Sequence, residues 1–186
     1  MAVNLSFVSA GARQGTTMLA VNTLLMQLFT LFSYIMDGFA FAGEALCGKH
    51  KGARNEAAFH ATVRHLFGWG GTLALAYTAV YALGGEAFLS LLTNEPGILS
   101  AATPYLPWAV AIPLTGMAAF VLDGIFIGLT RTRGMLVSAA LSALVFGTVY
   151  ACTFQALHNH GLWLAFILYL CTRGQVQGVI YIKDKG

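Results

Sequence analysis

Long apolar runs separated by short polar segments dominate this chain. They cover about residues 18–47, 66–83, 103–129, 135–157 and 162–182. An α-helix rises about 1.5 Å per residue, and about 17–25 apolar residues are needed to cross a hydrocarbon layer ~30 Å thick, so each run has enough residues for a span. Strands are disfavoured, because an open strand leaves backbone groups unpaired in lipid. The pattern predicts an all-α membrane protein with five transmembrane helices.

The composition supports the same class. Hydrophobic residues make up 58% of the 186 residues and charged residues 9%, whereas a soluble domain has about 25% charged residues. The lipid bilayer is therefore the expected surrounding of the protein. The basic residues lie in short loops and form no patch, so nucleic acid is not an expected partner. No catalytic or phosphate-binding motif is present, so neither an enzyme nor a cofactor is predicted.

The basic residues predict how the chain is oriented in the membrane. In a five-span arrangement, nine of the ten fall on one side: Lys49, Lys51, Arg54, Arg64, Arg131, Arg133, Arg173, Lys183 and Lys185. Only Arg13 falls on the other side. Because basic residues concentrate on the cytoplasmic side, the N-terminus is expected outside and the C-terminus in the cytoplasm of an inner (plasma) membrane. The odd number of spans leads us to expect a piece of a longer chain.

Two acidic residues lie inside apolar runs and are the main candidates for function. Asp37 precedes Gly38 in the first span, and Asp123 precedes Gly124 in the third. Both are expected about 12–18 Å from the cytoplasmic edge. An acid within a membrane helix is by default a functional candidate, and removal from water favours its protonated form, so proton exchange is expected. A structural role remains open for both acids, through hydrogen bonds to backbone or hydroxyl groups.

Glycines and two further charged residues complete the candidate set. Glycines 124 and 128 form a GxxxG pair, which predicts close helix contact, and Gly38 allows contact or bending. Glu44 lies near the membrane interface and is expected to be solvated or paired near Lys49. Arg173 lies within the fifth span and needs either an acidic partner across the bundle or a path to water. Of these two, we expect the side chain to reach towards the cytoplasmic face.

Four segments resemble one family of transporters. Tyr34–Asn55, with the sequence YIMDGFAFAGEALCGKHKGARN, resembles the eighth helix and following loop of the MATE (multidrug and toxic compound extrusion) family, in its DinF-like branch. Phe120–Met135, with FVLDGIFIGLTRTRGM, resembles the tenth helix. Phe88–Ile98 is similar to the outer loop after helix nine, and Gly161–Gly174 to helix twelve. These segments occur in the family's order and are distributed over most of the chain, from residue 34 to residue 174.

The resemblance implies a twelve-helix antiporter made of two six-helix lobes, which exports cationic or amphipathic compounds in exchange for protons or sodium ions. Residues 1–17 would be the tail of helix seven, and residues 18–186 a bundle of helices eight to twelve. Asp123 matches an acid on helix ten that serves in cation coupling in some members. The N-terminal lobe has no counterpart here, so it is an expected partner.

Two other functions remain open. The chain is alternatively an inactive fragment, or a half-subunit that needs a separate N-terminal lobe. It is alternatively a flippase for lipid-linked precursors from the same superfamily. A flippase would be expected to have a cationic central cavity, for which Arg173 is the only basic candidate within the spans.

Overall fold

The computed structural model describes residues 2–183, which are helical and contain no strand. Lys185, which entered the orientation prediction, lies outside the described residues. The described elements are α1 (Ala2–Ala12), α2 (Thr16–Gly52), α3 (Glu56–Leu92), α4 (Pro96–Ala102), a 3-10 turn (Thr103–Tyr105), α5 (Leu106–Gly128), α6 (Thr132–Leu157) and α7 (Asn159–Lys183). The predicted all-α membrane class is confirmed.

Four helical segments are long and apolar enough to cross a membrane: α2, α3, the α4–α5 segment Pro96–Gly128, and α6. The fifth predicted span, α7, has 25 residues but is not among them. Its polar residues include Arg173, Gln175 and Gln177. The helix buries much of its length inside the bundle, including Trp163 and Phe166. Polar side chains on its buried face can therefore bond to protein and need not face lipid.

The helices extend beyond the predicted apolar runs. The second predicted span begins at residue 66, but α3 begins at Glu56. The reason is local, because the side-chain oxygen of Asn55 accepts a hydrogen bond from the backbone N–H of Ala58 at 3.0 Å. Such a cap satisfies one of the unpaired donors at a helix start. Hydropathy detects only the lipid-facing part of a helix, so it misses these polar turns.

The centre of the bundle is α5, which packs against α2, α3 and α7. Phe126, Ile125 and Ile112 on α5 are fully buried. The α6 helix packs mainly on α7 and leaves large apolar side chains such as Leu136 and Leu144 exposed. Exposed leucines on membrane helices are expected, because lipid is as apolar as the side chain. The core therefore lies along α5, with α3 and α6 at the periphery.

Close contact between α2 and α5 depends on glycine. A Cβ on Gly124 would overlap the backbone of Ala40, and one on Gly128 would overlap the backbone of Glu44. The two helices therefore run parallel and touch along the predicted GxxxG pair, which confirms that prediction. Gly38 makes no such contact, since no atom lies within 4 Å of the position of its Cβ. Of the two roles left open for Gly38, close helix contact does not occur among the described residues.

At the far end of the bundle, buried amides join α2 to α7. The Asn22 side-chain nitrogen donates to the side-chain oxygen of Asn159 at 2.8 Å, and the Asn159 nitrogen donates to the oxygen of Asn22 at 2.9 Å. The Trp163 indole N–H also donates to the Asn22 oxygen, at 3.0 Å. Both asparagines are 1% exposed. The network holds the first two turns of α2 and α7 together.

We expect Asn22→Ala to lower the free energy of unfolding by about 1–3 kcal/mol, because it leaves the buried donors of Asn159 and Trp163 without partners. Thermal unfolding in detergent micelles, followed by circular dichroism, measures the effect. Thr23→Ala is the matched control, since the Thr23 hydroxyl is exposed and donates to the Leu19 carbonyl of its own helix. Equal unfolding temperatures for the two variants would contradict a stabilising role for the network.

Candidate functional site

Asp123 is held by two side chains of α7. The Arg173 guanidinium donates to one carboxylate oxygen, with 2.6 Å between Nη2 and Oδ2. The Gln177 amide donates to the other, with 2.6 Å between Nε2 and Oδ1. Charge-assisted hydrogen bonds of this length are among the stronger ones in proteins. Both oxygens of Asp123 therefore have a donor, one of them a permanent cation.

Arg173 is positioned by its own helix and by close packing of α7 on α5. Gly174 follows it in sequence, and a Cβ at that position would lie 3.2 Å from the Cβ of Ala118 on α5. The Arg173 Nη1 donates to the Tyr169 hydroxyl oxygen at 3.2 Å. Tyr169, Arg173 and Gln177 occur every four residues, so they share one face of α7. That face is turned towards Asp123.

The expectation that Arg173 reaches towards the cytoplasmic face was wrong. The alternative, an acidic partner across the bundle, is what the structure contains. The physical reason is that a charge buried among helices is satisfied more completely by a hydrogen-bonded opposite charge than by a long path to water. Gln177 and Tyr169 were not predicted as site residues. Their spacing of four residues on either side of Arg173 was the signal in the sequence.

A cavity of about 450 Å³ lies between α2, α5 and α7 beside this pair. Its lining residues are Phe29, Ser33, Asp37, Ala119, Phe120, Asp123, Tyr169, Leu170 and Arg173. The two acids that stood out in the sequence therefore line one cavity. Because Ala40 lies opposite Gly124 on a parallel helix, Asp37 stands about 3 Å, or half a helical turn, from the level of Asp123.

The two acids differ in their partners. Within residues 2–183, Asp37 makes no hydrogen bond or ion pair, whereas both oxygens of Asp123 accept hydrogen bonds, one from Arg173 and one from Gln177. Ser33, one turn before Asp37 on the same helix, donates its hydroxyl to the Thr30 carbonyl at 2.9 Å. Asp37 is thus a carboxylate that faces the cavity and makes no ion pair in the described part of the chain, because Arg173, which lines the same cavity, is bonded to Asp123.

Aromatic side chains form the apolar wall of the cavity. The rings of Phe29 and Phe120 have centroids 6.3 Å apart, and Phe29 also packs edge-on against Phe166 at 5.2 Å. Tyr169 stacks on Phe166 at 6.2 Å. Aromatic faces attract cations and accommodate flat apolar groups. The cavity thus combines one unpaired carboxylate with apolar and aromatic surface.

Glu44 is not part of this cavity. Its side chain is exposed, and it makes no ion pair with Lys49 among the described residues. Its contribution to packing comes from its backbone, which lies against Gly128. No group of three or more His, Cys, Asp or Glu side chains that could hold a metal ion occurs within residues 2–183. The charged side chains that line this cavity are Asp123, Arg173 and Asp37.

Comparison with known proteins gives a consistent result. The sequence profile of the MatE family matches residues 2–153. The DNA damage-inducible protein F of Escherichia coli (strain K12) is 41% identical over 164 residues, which cover 88% of this chain and 36% of that protein. Protein DETOXIFICATION 42 of Arabidopsis thaliana is 23% identical over 171 residues, covering 90% of this chain and 33% of that protein. The chain spans about a third of the length of these relatives.

Proposed function

Because this chain belongs to the MatE family of membrane transporters, we propose that it forms part of a secondary transporter that expels organic compounds in exchange for a cation. The coupling ion is a proton or sodium, and the exported compounds are amphipathic or cationic molecules. The observation that carries the proposal is the cavity between α2, α5 and α7, where two membrane-embedded acids stand beside aromatic side chains. Such acids mark ion and substrate pathways.

The orientation we propose places the N-terminus outside and the C-terminus in the cytoplasm of the inner (plasma) membrane. The loop after α2 holds Arg54, and the loop after α5 holds Arg131. Because α2 and α5 are parallel, these two basic loops lie at the same end of the bundle. That end also contains Lys183 at the end of α7. An end rich in basic residues is expected to face the cytoplasm.

We further propose that transport requires an N-terminal lobe, on the same polypeptide or on a separate one. The support is that the chain spans about a third of its relatives' length. The flippase alternative is disfavoured by the pairing of Arg173 with Asp123, because no unpaired basic side chain lines the cavity among the described residues. A half-subunit remains the second candidate, since it accounts for the same length.

Ethidium efflux tests the proposal. Cells that lack their own efflux pumps would express this chain alone or together with an N-terminal lobe, and be loaded with the dye. We expect Asp123→Asn to lower the initial efflux rate about tenfold or more, because removing one partner of a buried charge pair costs about 2 kcal/mol or more. Insertion into the membrane, measured by immunoblot of the membrane fraction, is expected to be normal.

Glu44→Gln is the matched control, because Glu44 also lies on a membrane helix but its side chain is exposed and outside the cavity. Its efflux rate is expected to equal that of the unmodified chain. An unchanged rate in Asp123→Asn would exclude a role for Asp123 in transport. No efflux with or without the N-terminal lobe would overturn the proposed function as a whole.

A further inference from the structure

The charged side chains that line the cavity between α2, α5 and α7 differ in whether an opposite charge neutralises them. Three charged side chains line it: Asp37, Asp123 and Arg173. The carboxylate of Asp123 and the guanidinium of Arg173 are joined at 2.6 Å, so their charges cancel at short range. One carboxylate, that of Asp37, is left. The charge that a ligand meets in this cavity is therefore a single negative charge.

From this charge count we infer that Arg173 sets the charge of the ligand, so that the cavity accepts a monovalent organic cation whose positive group lies beside Asp37. The inference rests on the proposed function and assigns separate tasks to the two acids. Asp37 contacts the cation. Asp123 acts through Arg173, which it holds in place, and Arg173 removes the second negative charge that would otherwise favour a dication.

The geometry explains why Asp123 is not itself the group that meets the cation. A cation at Asp123 would have to displace the guanidinium from Oδ2 or the amide from Oδ1, both at 2.6 Å. Arg173 is held a second time, because its Nη1 donates to the Tyr169 hydroxyl. Displacing it would leave a buried charge unpaired, which is costly. Asp37 requires no such displacement.

The shape and chemistry of the walls fit the rest of such a ligand. Phe29 and Phe120 stand on the α2 and α5 sides of the cavity and offer ring surface to an apolar body. A cation over an aromatic ring is attracted by its negative face. The volume of about 450 Å³ is within the range for small-molecule pockets, about 300–1,000 Å³. The ligand class is therefore a flat or bulky apolar molecule with one positive charge.

Two dyes with the same phenanthridinium ring test the inference. Ethidium has one positive charge, and propidium has a second one on a side chain. Equilibrium binding of each to the purified chain in detergent micelles is measured by fluorescence anisotropy. Each variant is compared with the unmodified chain for the same dye, so differences in dye size cancel. Thermal unfolding of every variant reports on its folding.

The affinity for each dye is expected to depend on how many negative charges in the cavity have no positive partner. Asp37→Asn removes the remaining charge and is expected to weaken ethidium binding on the order of tenfold. Arg173→Gln exposes the charge of Asp123 and is expected to shift the propidium-to-ethidium affinity ratio towards propidium by on the order of tenfold. Arg173→Lys keeps the positive charge and is expected to keep the ratio of the unmodified chain.

Double substitutions separate this role from a structural one. Asp123→Asn alone leaves Arg173 uncompensated beside Asp37, so ethidium binding is expected to fall. Combining it with Arg173→Gln restores one negative charge and is expected to recover ethidium binding. Combining Asp37→Asn with Arg173→Gln also leaves one negative charge, now on Asp123, and is expected to recover it as well. A structural role for Arg173 predicts no recovery in either combination.

Each result decides whether Arg173 sets the charge of the ligand or has only a structural role. If Arg173→Gln is too unstable to purify, recovery of ethidium binding in the two double variants still supports the inference. An unchanged affinity ratio in folded Arg173→Gln, or no recovery in the double variants, overturns it. Absence of ethidium binding to the unmodified chain also overturns it. If the binding results overturn this inference but cells still export ethidium, the proposed function stands. If the binding results are as expected but cells do not export ethidium, only the proposed function is rejected.

Discussion

Replacing Gly124 by alanine is expected to lower the free energy of unfolding of the bundle by about 2–3 kcal/mol, because the new Cβ overlaps the backbone of Ala40. A backbone cannot rotate away as a flexible side chain can, so α2 and α5 must move apart. The movement separates the helix that carries Asp37 from the helix that carries Asp123. Thermal unfolding in detergent micelles, followed by circular dichroism, measures the loss.

Gly38→Ala is the matched control for this substitution. Both glycines lie inside long helices, so both substitutions gain helix propensity of up to about 1 kcal/mol. No atom lies within 4 Å of a Cβ at Gly38, so that gain is expected to appear as a higher unfolding temperature. The two variants should therefore shift in opposite directions. Shifts of the same sign and size would show that α2 and α5 do not touch at Gly124.

Asp123 and Arg173 are expected to stabilise the bundle through their interaction with each other. Asp123→Asn and Arg173→Met should each lower the free energy of unfolding by about 2–3 kcal/mol, because each leaves a largely buried charge without its partner. The Asp123 side chain is 18% exposed and that of Arg173 is 27% exposed. The expected loss of stability is therefore at the lower end of the range for buried pairs. The double variant should lose less than the sum of the two single variants.

A double-mutant cycle on thermal or denaturant unfolding measures this coupling. Glu44→Gln with Arg173→Met is the matched control, because Glu44 is an exposed acid with no contact to Arg173. Its coupling energy is expected to be near zero. Additive effects of Asp123→Asn and Arg173→Met would mean that the ion pair does not form in the folded protein.

The membrane class is predictable from the sequence because hydrophobic periodicity is a local property. An acid in an apolar run is visible in the same way, so Asp37 and Asp123 both stand out from the residues around them. The GxxxG pair at glycines 124 and 128 predicts a close contact, and the fold supplies its partner, the α2 segment from Ala40 to Glu44. Hydropathy does not locate the ends of α2 and α3, because polar turns at helix ends do not differ from loops in hydropathy.

The direction of the Arg173 side chain was predicted incorrectly, because whether it finds an acidic partner depends on which helix lies beside α7. Gly174 lets α7 approach α5 at Ala118, and this approach brings Arg173 and Gln177 to Asp123, which lies 50 positions from Arg173 in the chain. Nothing local to α7 specifies that neighbour. The spacing of Tyr169, Arg173 and Gln177 shows only that they share a face.

The hydrophobic pattern alone determined that this is an all-α membrane protein, and the sequence alone marked two acids inside its helices. The tertiary structure decided that these acids line the same cavity, that Asp123 is paired with Arg173, and that Asp37 is not paired among the described residues. The physical reason is that the two properties depend on residues at different distances along the chain. Burial of apolar surface is encoded residue by residue, whereas the balance of charge in a cavity depends on which side chains the packing of distant helices brings within hydrogen-bonding distance.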